Sequence, residues 1–504
     1  MDRGWSSRTP AWWIACAALL ACGDSTSPSE SGASAWGTGH GATTGATAMT
    51  GDAGTDSDSR GSDSHGSDSD GGSTATDATE PTGTQTSDAS TTSVDPTDGS
   101  TTGDPTTTST TTSPATDTAE SDTTGEPLCE PGDGPGVGRI EKSYLWVANS
   151  DQGSVSKVDT QTLLELARYR TGPEGPGEDP SRTAVSGDGR FVVINSRRTG
   201  RVTMVAANVE DCVDQDNDGL ISTSQSPAEL LPWSGDAWLD ECVLWSRKLP
   251  ILGTLGSGPR AVTWTLGTWN QERCAWEDPD VWIGYLPARP ELAHMARLDG
   301  KTGAIEETVI IDDWLVGWSY YGPYGAALDG DQDVWMTGLR GELVRIHAED
   351  SAIDRWLPPG NLQFYGMTVD PEGRPWMAGC TGPVSTFDRE TETFHVVPDT
   401  SSCFRGVGAD TIGHVWVADN GACGVLQVDA ETREVVAHHP LLPCETPIGV
   451  SVDSEGYVWV VDEWIGAWKI DPTNPASKQL VEIDNQHYTY SDMTGGQIAN
   501  IIIG

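Results

Sequence analysis

Basic side chains are scarce in this chain of 504 residues, which has 29 Lys and Arg against 75 Asp and Glu and a formal net charge of -46 at pH 7. No basic stripe interrupts this charge, and phosphate backbones repel an acidic surface, so a nucleic-acid partner is excluded. The Gly-x-Ser-x-Gly, His-Glu-x-x-His and phosphate-loop motifs are also absent. Sequence motifs therefore identify no catalytic residue, and any catalytic residues are unknown.

The chain also lacks a hydrophobic run long enough to span a membrane permanently. The N-terminal run "AWWIACAALLA" is too short for that, so residues 1–21 predict an export signal. The run ends in "LLAC", which resembles the lipobox of bacterial lipoproteins and makes Cys22 the expected lipidation site. We expect a lipid-anchored protein of the bacterial cell envelope, with the outer membrane or the cell surface favoured because Gly23 follows. An ordinary secretory signal with a chance Cys is the alternative.

Residues 22–128 have low sequence complexity, as in "TTGDPTTTSTTTSPATDTAESDTTG". A segment rich in Ser, Thr, Gly and Asp and poor in apolar residues cannot bury a core. Its acidic residues face only one base, Arg60, so their mutual repulsion extends it further. We expect a disordered stalk that carries a folded domain at residues 129–504.

One pattern recurs through the folded domain. "GVGADTIGHVWVADNGACGVLQVDAETREVVAHH" and "GVSVDSEGYVWVVDEWIGAWKIDPTN" share an apolar run, an Asp/Gly turn, a run with Trp, and a further run ending in Asp. Four short strands in each unit of about 40 residues are typical of propeller blades. The fold class predicted for residues 129–504 is therefore all-β, a seven-bladed β-propeller preceded by the signal peptide and the disordered stalk. The second strands (B) are expected to centre on Trp146, Val192, Trp282, Trp335, Trp376, Trp416 and Trp459.

The two ends of the predicted ring complement each other. Blade 1 begins at its second strand, and the tail "HYTYSDMTGGQIANIII" after blade 7 looks like one spare strand. We expect the tail to supply the missing inner strand of blade 1, because closing the ring removes the exposed strand edges.

The repeating Gly-x-x-x-Asp-x-x-Gly-x-Val-Trp unit resembles that of the virginiamycin B (streptogramin B) lyase family and, less closely, NHL repeats. The resemblance implies a seven-bladed propeller. Its motif is structural, and the recurring Trp is interpreted as a core residue between blades more readily than as a binding stripe. Elimination chemistry of the lyase kind needs a general base, usually His, beside a divalent metal. No histidine of this chain matches that pattern, so no catalytic residue is carried over.

Strand direction assigns the loops to two faces. We call the side with the B–C loops and the D–A connections the connector face, and the side with the A–B and C–D turns the turn face. Cysteines in equivalent places on one face, in an exported chain, predict disulfides. The expected pairs are Cys212–Cys242, Cys380–Cys403, Cys423–Cys444 and, from face alone, Cys129–Cys274.

The stretch "DQDNDGLISTSQ" at residues 214–225 has the beginning of a calcium-binding loop. Asp214, Asp216 and Asp218 alternate so that three carboxylates turn inward, and the carbonyl of Leu220 falls at the seventh position. Three carboxylates so close together repel one another unless a cation binds. The loop lies in an insertion at about 212–242, on the turn face of blade 2.

The twelfth position of this loop holds Gln225, which offers one neutral oxygen where a bidentate Glu is usual. The missing acid is therefore expected from elsewhere in the insertion. Asp240 and Glu241 are best placed, and Asp236 is a further candidate. The sequence predicts a structural Ca²⁺ site, with a solvated acidic loop as the alternative.

The connector face carries the candidate ligand-binding residues, because propellers usually bind ligands at the mouth of the central channel. Aromatic side chains with arginines suit a glycan, an anionic ligand or a protein partner, and ordinary rim packing is the alternative. The leading hypothesis is an envelope lipoprotein that displays a propeller as a binding or scaffolding module. The other is a lyase of the virginiamycin B lyase type, or a hydrolase, acting at the channel mouth. The candidates are Arg197, Arg340, Tyr324, Tyr365, Arg405 and Glu463.

Overall fold

The computed structural model describes residues 142–289, 291–314, 321–360 and 362–498. The predicted export signal, the lipidation site Cys22, the stalk and Cys129 lie outside these residues. The described residues all belong to one compact unit. Among the helices of the described segments, none has the length and apolar character needed to cross a membrane.

The described strands form a seven-bladed β-propeller, as predicted. Seven antiparallel sheets follow one another along the chain, and six of them have four strands, ordered from the inner strand A to the outer strand D. The sheet of blade 1 has three strands, which occupy positions B, C and D. Two small hairpins interrupt the pattern, one between strands C and D of blade 2 and one between strands A and B of blade 3.

The first three blades contain the two hairpins and the three 3-10 helices. Blade 1 consists of β1 (Tyr144–Asn149), β2 (Ser154–Asp159) and β3 (Glu165–Arg170). Blade 2 consists of β4 (Pro180–Val185), β5 (Phe191–Ser196), β6 (Arg201–Ala206) and β9 (Val243–Lys248), with the hairpin β7 (Trp233–Ser234) and β8 (Ala237–Trp238). Blade 3 consists of β10 (Val262–Trp264), β13 (Asp280–Tyr285), β14 (Ala293–Asp299) and β15 (Ile305–Ile311), with the hairpin β11 (Thr268–Asn270) and β12 (Ala275–Glu277). The 3-10 helices are Gly175–Gly177, Val209–Asp211 and Leu255–Ser257.

The last four blades are regular. Blade 4 consists of β16 (Pro323–Leu328), β17 (Val334–Gly338), β18 (Leu343–Ile346) and β19 (Ile353–Trp356). Blade 5 consists of β20 (Gly366–Val369), β21 (Pro375–Ala378), β22 (Ser385–Asp388) and β23 (Thr393–Val396). Blade 6 consists of β24 (Phe404–Ala409), β25 (His414–Asp419), β26 (Gly424–Asp429) and β27 (Val435–Pro440). Blade 7 consists of β28 (Pro447–Val452), β29 (Val458–Asp462), β30 (Gly466–Ile470) and β31 (Lys478–Glu482).

All seven predicted B-strand centres lie in strand B of their blades, from Trp146 in β1 to Trp459 in β29. All seven side chains are buried, and the six tryptophans share hydrophobic clusters with the next blade, which confirms the interpretation of the recurring Trp as a core residue. Trp376 of blade 5, for example, shares a hydrophobic cluster with Val407 and Val415 of blade 6. Burial of such large side chains between blades supplies much of the hydrophobic stabilisation of a propeller.

A buried aspartate supports the B-strand tryptophan in each of blades 4 to 7. In blade 5, Asp370 accepts a hydrogen bond from Nε1 of Trp376 at 2.8 Å and another from the backbone N–H of Arg374 at 2.9 Å. The Arg374 guanidinium also contacts this carboxylate, at 2.7 Å. These bonds satisfy a carboxylate that would otherwise be costly to bury. The same aspartate–tryptophan bond recurs in Asp329–Trp335, Asp410–Trp416 and Asp453–Trp459.

The C-terminal tail closes the ring beside blade 1, as predicted, although the contact is not a regular strand. The backbone N–H groups of Trp146 and Ser150 donate to the carbonyls of Met493 and Gln486. Between these bonds, the hydroxyl of Thr489 accepts from the N–H of Ala148 at 2.6 Å and donates to its carbonyl at 2.9 Å. A side chain thus replaces the backbone pairing that an inner strand would provide.

Three predicted disulfides are present. Cys212–Cys242 joins the two ends of the blade 2 insertion. Cys380–Cys403 and Cys423–Cys444 each join one blade to the next on the connector face. Cys274 is also disulfide-bonded, and its predicted partner Cys129 lies outside the described residues.

Candidate functional site

Each inner strand of the four-stranded blades has one comparable residue, which lies among the first residues of the strand or just before it, on the connector face. In every four-stranded blade, one residue of strand A pairs with the B-strand centre. The comparable residue lies three positions earlier in the sequence than that strand A residue. Because inner strands line the propeller axis, these side chains meet around it, and Tyr490 of the tail joins them through a bridge with Arg182. The six residues are Arg182, Arg260, Tyr324, Tyr365, Arg405 and Ile448.

Glycines beside these residues let the inner strands approach one another closely. A Cβ atom at Gly366 would lie 2.3 Å from the carbonyl oxygen of Arg405, and one at Gly406 would lie 2.5 Å from that of Ile448. Real side chains cannot be accommodated at such distances. The tight spacing of the strands therefore brings large side chains from different blades into contact at the axis.

Four tyrosines and two arginines form what we call the channel-mouth cluster: Arg182, Arg405, Tyr324, Tyr365, Tyr488 and Tyr490. The hydroxyls of Tyr324 and Tyr488 are 3.4 Å apart, and that of Tyr365 also bonds to that of Tyr488. The ring centroids of Tyr365 and Tyr324 are 5.1 Å apart, within the usual range for an aromatic pair. All four tyrosines are buried.

The two arginines of the cluster lie over tyrosine rings. The Cζ atom of Arg182 is 3.0 Å from the ring centroid of Tyr490 and 4.9 Å from that of Tyr324. Arg405 lies over Tyr365 at 4.9 Å and donates from Nη1 to its hydroxyl at 3.1 Å. Cation–π contacts of this kind strengthen when water is excluded.

Electrostatic compensation differs among the neighbouring arginines. Arg197 lies over the ring of Tyr488 at 4.3 Å, and its guanidinium pairs with Asp179 at 2.9 Å. Arg182 is fully buried, and this burial lowers its pKa to about 10. The ionisable groups that influence Arg182 most are tyrosines and Arg260, whose like charge lowers the pKa further.

The structure gathers four of the six predicted ligand-binding residues at the axis: Arg197, Tyr324, Tyr365 and Arg405. The other two occupy loops on the connector face. The backbone N–H of Arg340 donates to the carbonyl of Phe364, and burial lowers the pKa of its guanidinium. The carboxylate of Glu463 accepts a hydrogen bond from the side chain of Gln486 in the closing tail.

The loop-based sequence reasoning missed Arg182, Arg260, Tyr488 and Tyr490. Arg182 lies on the inner strand β4 and Arg260 lies two residues before the inner strand β10, where a core residue is the ordinary expectation. Their position in the repeat was a usable signal, since Tyr365 and Arg405 occupy the equivalent place. Tyr488 and Tyr490 had no such signal, because the closing tail has no counterpart in the other blades.

The described histidines have partners in their own blades or beside the closing tail. Their contacts are His294–Tyr285, His347–Asp354, His395–Thr393, His414–Asp410, His438–Asp419, His439–Gln427 and His487–Asn149. Ser402 donates its hydroxyl to one oxygen of Asp419, and His438 contacts the other at 3.4 Å. His438 is therefore not placed as a base for Ser402.

The predicted calcium loop brings its three aspartates together. Ligand atoms of Asp214, Asp216 and Asp218 lie within 4.8 Å of one another. Oδ2 of Asp214 accepts from the N–H of Gly219 at 2.9 Å, whereas its Oδ1 is buried without a hydrogen-bond partner among the described residues. A positive φ of 84° at Gly219 allows the sharp bend. These oxygens suit Ca²⁺, which prefers carboxylate and carbonyl ligands.

The two acids that the sequence places best to complete the site, Asp240 and Glu241, hold the insertion together. Glu241 accepts from the N–H groups of Gln215 at 2.6 Å and Ser222 at 2.7 Å, and these bonds lower its pKa. Asp240 accepts from the hydroxyl of Thr223 and the N–H of Ser224, while burial raises its pKa. Both oxygens of each acid therefore already accept hydrogen bonds, but the partners of Glu241 include the backbone of Gln215 and Asp216 in the loop itself, whereas those of Asp240 lie outside its three aspartates.

The chain resembles known proteins in its fold alone. No protein-family model and no curated protein matches the chain. Solved structures similar to it include a catalytically inactive virginiamycin B lyase from Staphylococcus aureus with quinupristin, at 15% identity and a TM-score of 0.41, over 65% of this chain and 94% of that one. Apo AztD from Citrobacter koseri matches at 13% identity and a TM-score of 0.41, over 69% and 97%. Matches at this level carry no argument about activity.

Proposed function

We propose that this chain is a lipid-anchored protein of the bacterial cell envelope whose propeller binds a ligand at the connector face. The channel-mouth cluster carries the proposal. It gathers aromatic rings and arginines from four blades and the closing tail at the place where propellers usually bind ligands. Tyrosine and arginine are also the side chains that contribute most to recognition surfaces.

Binding suits this site better than elimination or hydrolysis does. Both reactions would need a general base with a suitable pKa within reach of the substrate. The histidines of the described segments have their contacts elsewhere, and the cluster itself presents only phenols and guanidinium groups. Phenols and guanidinium groups at neutral pH are hydrogen-bond donors more than proton acceptors.

A ligand screen on the purified chain, with Ca²⁺ present, tests the proposed binding site. Glycans, peptides and small anions are the classes to include. Arg405→Ala should weaken binding of any ligand found by at least tenfold, about 1.4 kcal/mol. Arg273→Ala is the matched control, since this arginine is exposed on the turn-face hairpin of blade 3. Equal affinity of the two variants would place the ligand elsewhere, and turnover of a bound lactone or glycan would favour the lyase or hydrolase alternative.

The anchor is proposed from the lipobox. Lipid attached to Cys22 would hold the propeller at a membrane surface, with the acidic stalk as a spacer. Labelling of cells with a radioactive fatty acid should mark the wild-type chain and not a Cys22→Ala variant. Unlabelled wild-type chain in the soluble fraction would instead indicate an ordinary secreted protein.

The calcium site is proposed as structural. Its oxygen ligands would come from Asp214, Asp216, Asp218, the carbonyl of Leu220 and Glu241. The positive charge of Ca²⁺ would offset the mutual repulsion of these acids. Addition of millimolar Ca²⁺ to chelator-treated protein should raise its Tm, and Asp216→Asn should abolish the increase. Asp399→Asn is a control, because Asp399 is an exposed turn residue with a positive φ that Asn also tolerates. An unchanged Tm in the wild type would refute the site.

A further inference from the structure

Arg182 presents an unusual arrangement for a buried guanidinium. Its side chain is fully buried, and Nη1 donates to the carbonyl of Ser181 at 2.9 Å. Its Nε and Nη2 atoms have no hydrogen-bond acceptor among the described residues. Buried polar groups are normally hydrogen-bonded, and buried charges are normally paired, because losing hydration is unfavourable.

Three other buried arginines of the same region have their charge paired. Arg168 contacts Glu165 at 2.7 Å, Arg197 contacts Asp179 at 2.9 Å, and Arg201 approaches Glu178 at 3.6 Å. Each of the three therefore has a carboxylate as counter-ion. Arg182 faces tyrosine rings instead, although carboxylates outnumber bases heavily in the chain as a whole.

Two more donors of the cluster are in the same condition. The hydroxyl of Tyr490 and Nε of Arg405 are buried without a hydrogen-bond partner in the described segments. The rings connect these groups: Arg182 lies over Tyr490 at 3.0 Å, the Tyr490 and Tyr365 rings are 5.2 Å apart, and Arg405 bonds to Tyr365. What these donor groups lack is a negatively charged hydrogen-bond acceptor.

We propose that the channel-mouth cluster binds an oxyanion, a carboxylate, phosphate or sulfate group of the ligand, between Arg182 and Arg405. The oxyanion would accept hydrogen bonds from Nε and Nη2 of Arg182 and from the hydroxyl of Tyr490. Guanidinium groups recognise such anions through two parallel bonds, and charge assistance makes these bonds strong. This inference rests on the proposed binding function and names the chemical class of its ligand.

The test uses the purified full chain and simple sodium salts at equal ionic strength: phosphate, sulfate and acetate, each compared with chloride. An anion that binds the folded state raises Tm in a saturable manner. A response to acetate alone identifies a carboxylate as the natural group, whereas a response to phosphate or sulfate identifies a tetrahedral oxyanion. No saturable response to any of the three would overturn the proposal.

Variants separate this site from the general stabilisation that sulfate and phosphate give to folded proteins. Arg182→Met should weaken anion binding by at least tenfold, and Tyr490→Phe, which keeps the ring, should weaken it severalfold. Arg198→Met is the control, because Arg198 is 52% exposed on the same face. The same anion response in all three variants would refute the site.

The unliganded variant gives a second readout. Removing an unpaired buried charge should leave the Arg182→Met protein as stable as the wild type in chloride, or more stable. A large loss of stability in chloride would mean that the guanidinium is already paired within the chain, which contradicts the proposal. Should a screened ligand depend on Arg405 but not on Arg182 or Tyr490, the binding function would stand and the oxyanion site would fall.

Discussion

Replacing Thr489 by valine tests how the ring is closed. The side chain keeps its shape and its branched Cβ, but it loses the hydroxyl that accepts from the N–H of Ala148 at 2.6 Å and donates to its carbonyl at 2.9 Å. Both backbone groups of Ala148 are buried and are left without these partners. A net hydrogen bond contributes about 1 kcal/mol, and an unsatisfied buried group costs about 1–3 kcal/mol. We therefore expect a loss of about 2–4 kcal/mol.

The corresponding change in Tm follows from the size of the domain. At about 2.1 cal/mol/K of unfolding entropy per residue, a propeller of roughly 350 residues has an unfolding entropy near 0.75 kcal/mol/K. The expected decrease in Tm is thus about 3–5 °C, measurable by calorimetry. Hydrogen exchange provides the local readout, because the amide of Ala148 should lose protection in the variant while amides of blades 4 to 6 keep theirs.

Thr337→Val is the matched control. Thr337 is fully buried, and its hydroxyl has no hydrogen-bond partner among the described residues, so the same chemical change should leave stability unchanged or slightly raised. If the two variants unfolded at the same urea concentration, Thr489 would not substitute for strand pairing at the closure.

Three other predictions concern the core and the tail. Asp370→Asn should lower the free energy of unfolding by about 3 kcal/mol, because it removes the charge that binds Arg374 and disturbs the bond from Trp376; an unchanged urea midpoint would contradict this role. Burial raises the pKa of Asp492 to about 6, so the folded state favours the protonated carboxyl, and this stabilisation is complete below about pH 4 and is lost as pH rises through 6. The wild type should therefore gain up to about 3 kcal/mol relative to Asp492→Asn between pH 8 and pH 4, and a difference independent of pH would exclude the effect. A chain that ends at Asp484 lacks the closing tail and should unfold at a clearly lower temperature, whereas a fully stable truncated chain would show that closure is dispensable.

The blade pattern shows how much a repeated sequence reveals. Trp335, Trp376, Trp416 and Trp459 recur at 41, 40 and 43 residues, and this spacing was enough to place strand B in blades 4 to 7. Antiparallel strands alternate in direction, so the face of each loop and three disulfide pairs also followed from the order of strands. These properties are local or periodic, so they can be predicted from the sequence without knowing any distance between residues.

The three aspartates of the predicted calcium loop could be placed together for the same reason, since they are neighbours in the sequence. The use of Asp240 and Glu241 could not be predicted, because it depends on how the insertion folds back on itself. Glu241 reaches the backbone of Gln215 and Ser222, whereas Asp240 is engaged by Thr223 and Ser224. Asp240 and Glu241 are neighbours in the sequence, yet they bind different parts of the insertion.

Only part of the channel-mouth cluster could be predicted, because Tyr324, Tyr365 and Arg405 follow from the assignment of loops to faces but their contacts depend on the closed ring. Composition and repeat spacing already specified an acidic, all-β chain with seven blades. They could not show that Arg182 of blade 2, Arg405 of blade 6 and Tyr490 of the tail meet at one axis. More than 200 residues separate Arg182 from Arg405 along the chain. The rings of Tyr490 and Tyr365 connect the two arginines, because seven twisted sheets converge on a common centre and glycines permit the inner strands to approach. Neither condition leaves a signal in any short stretch of sequence.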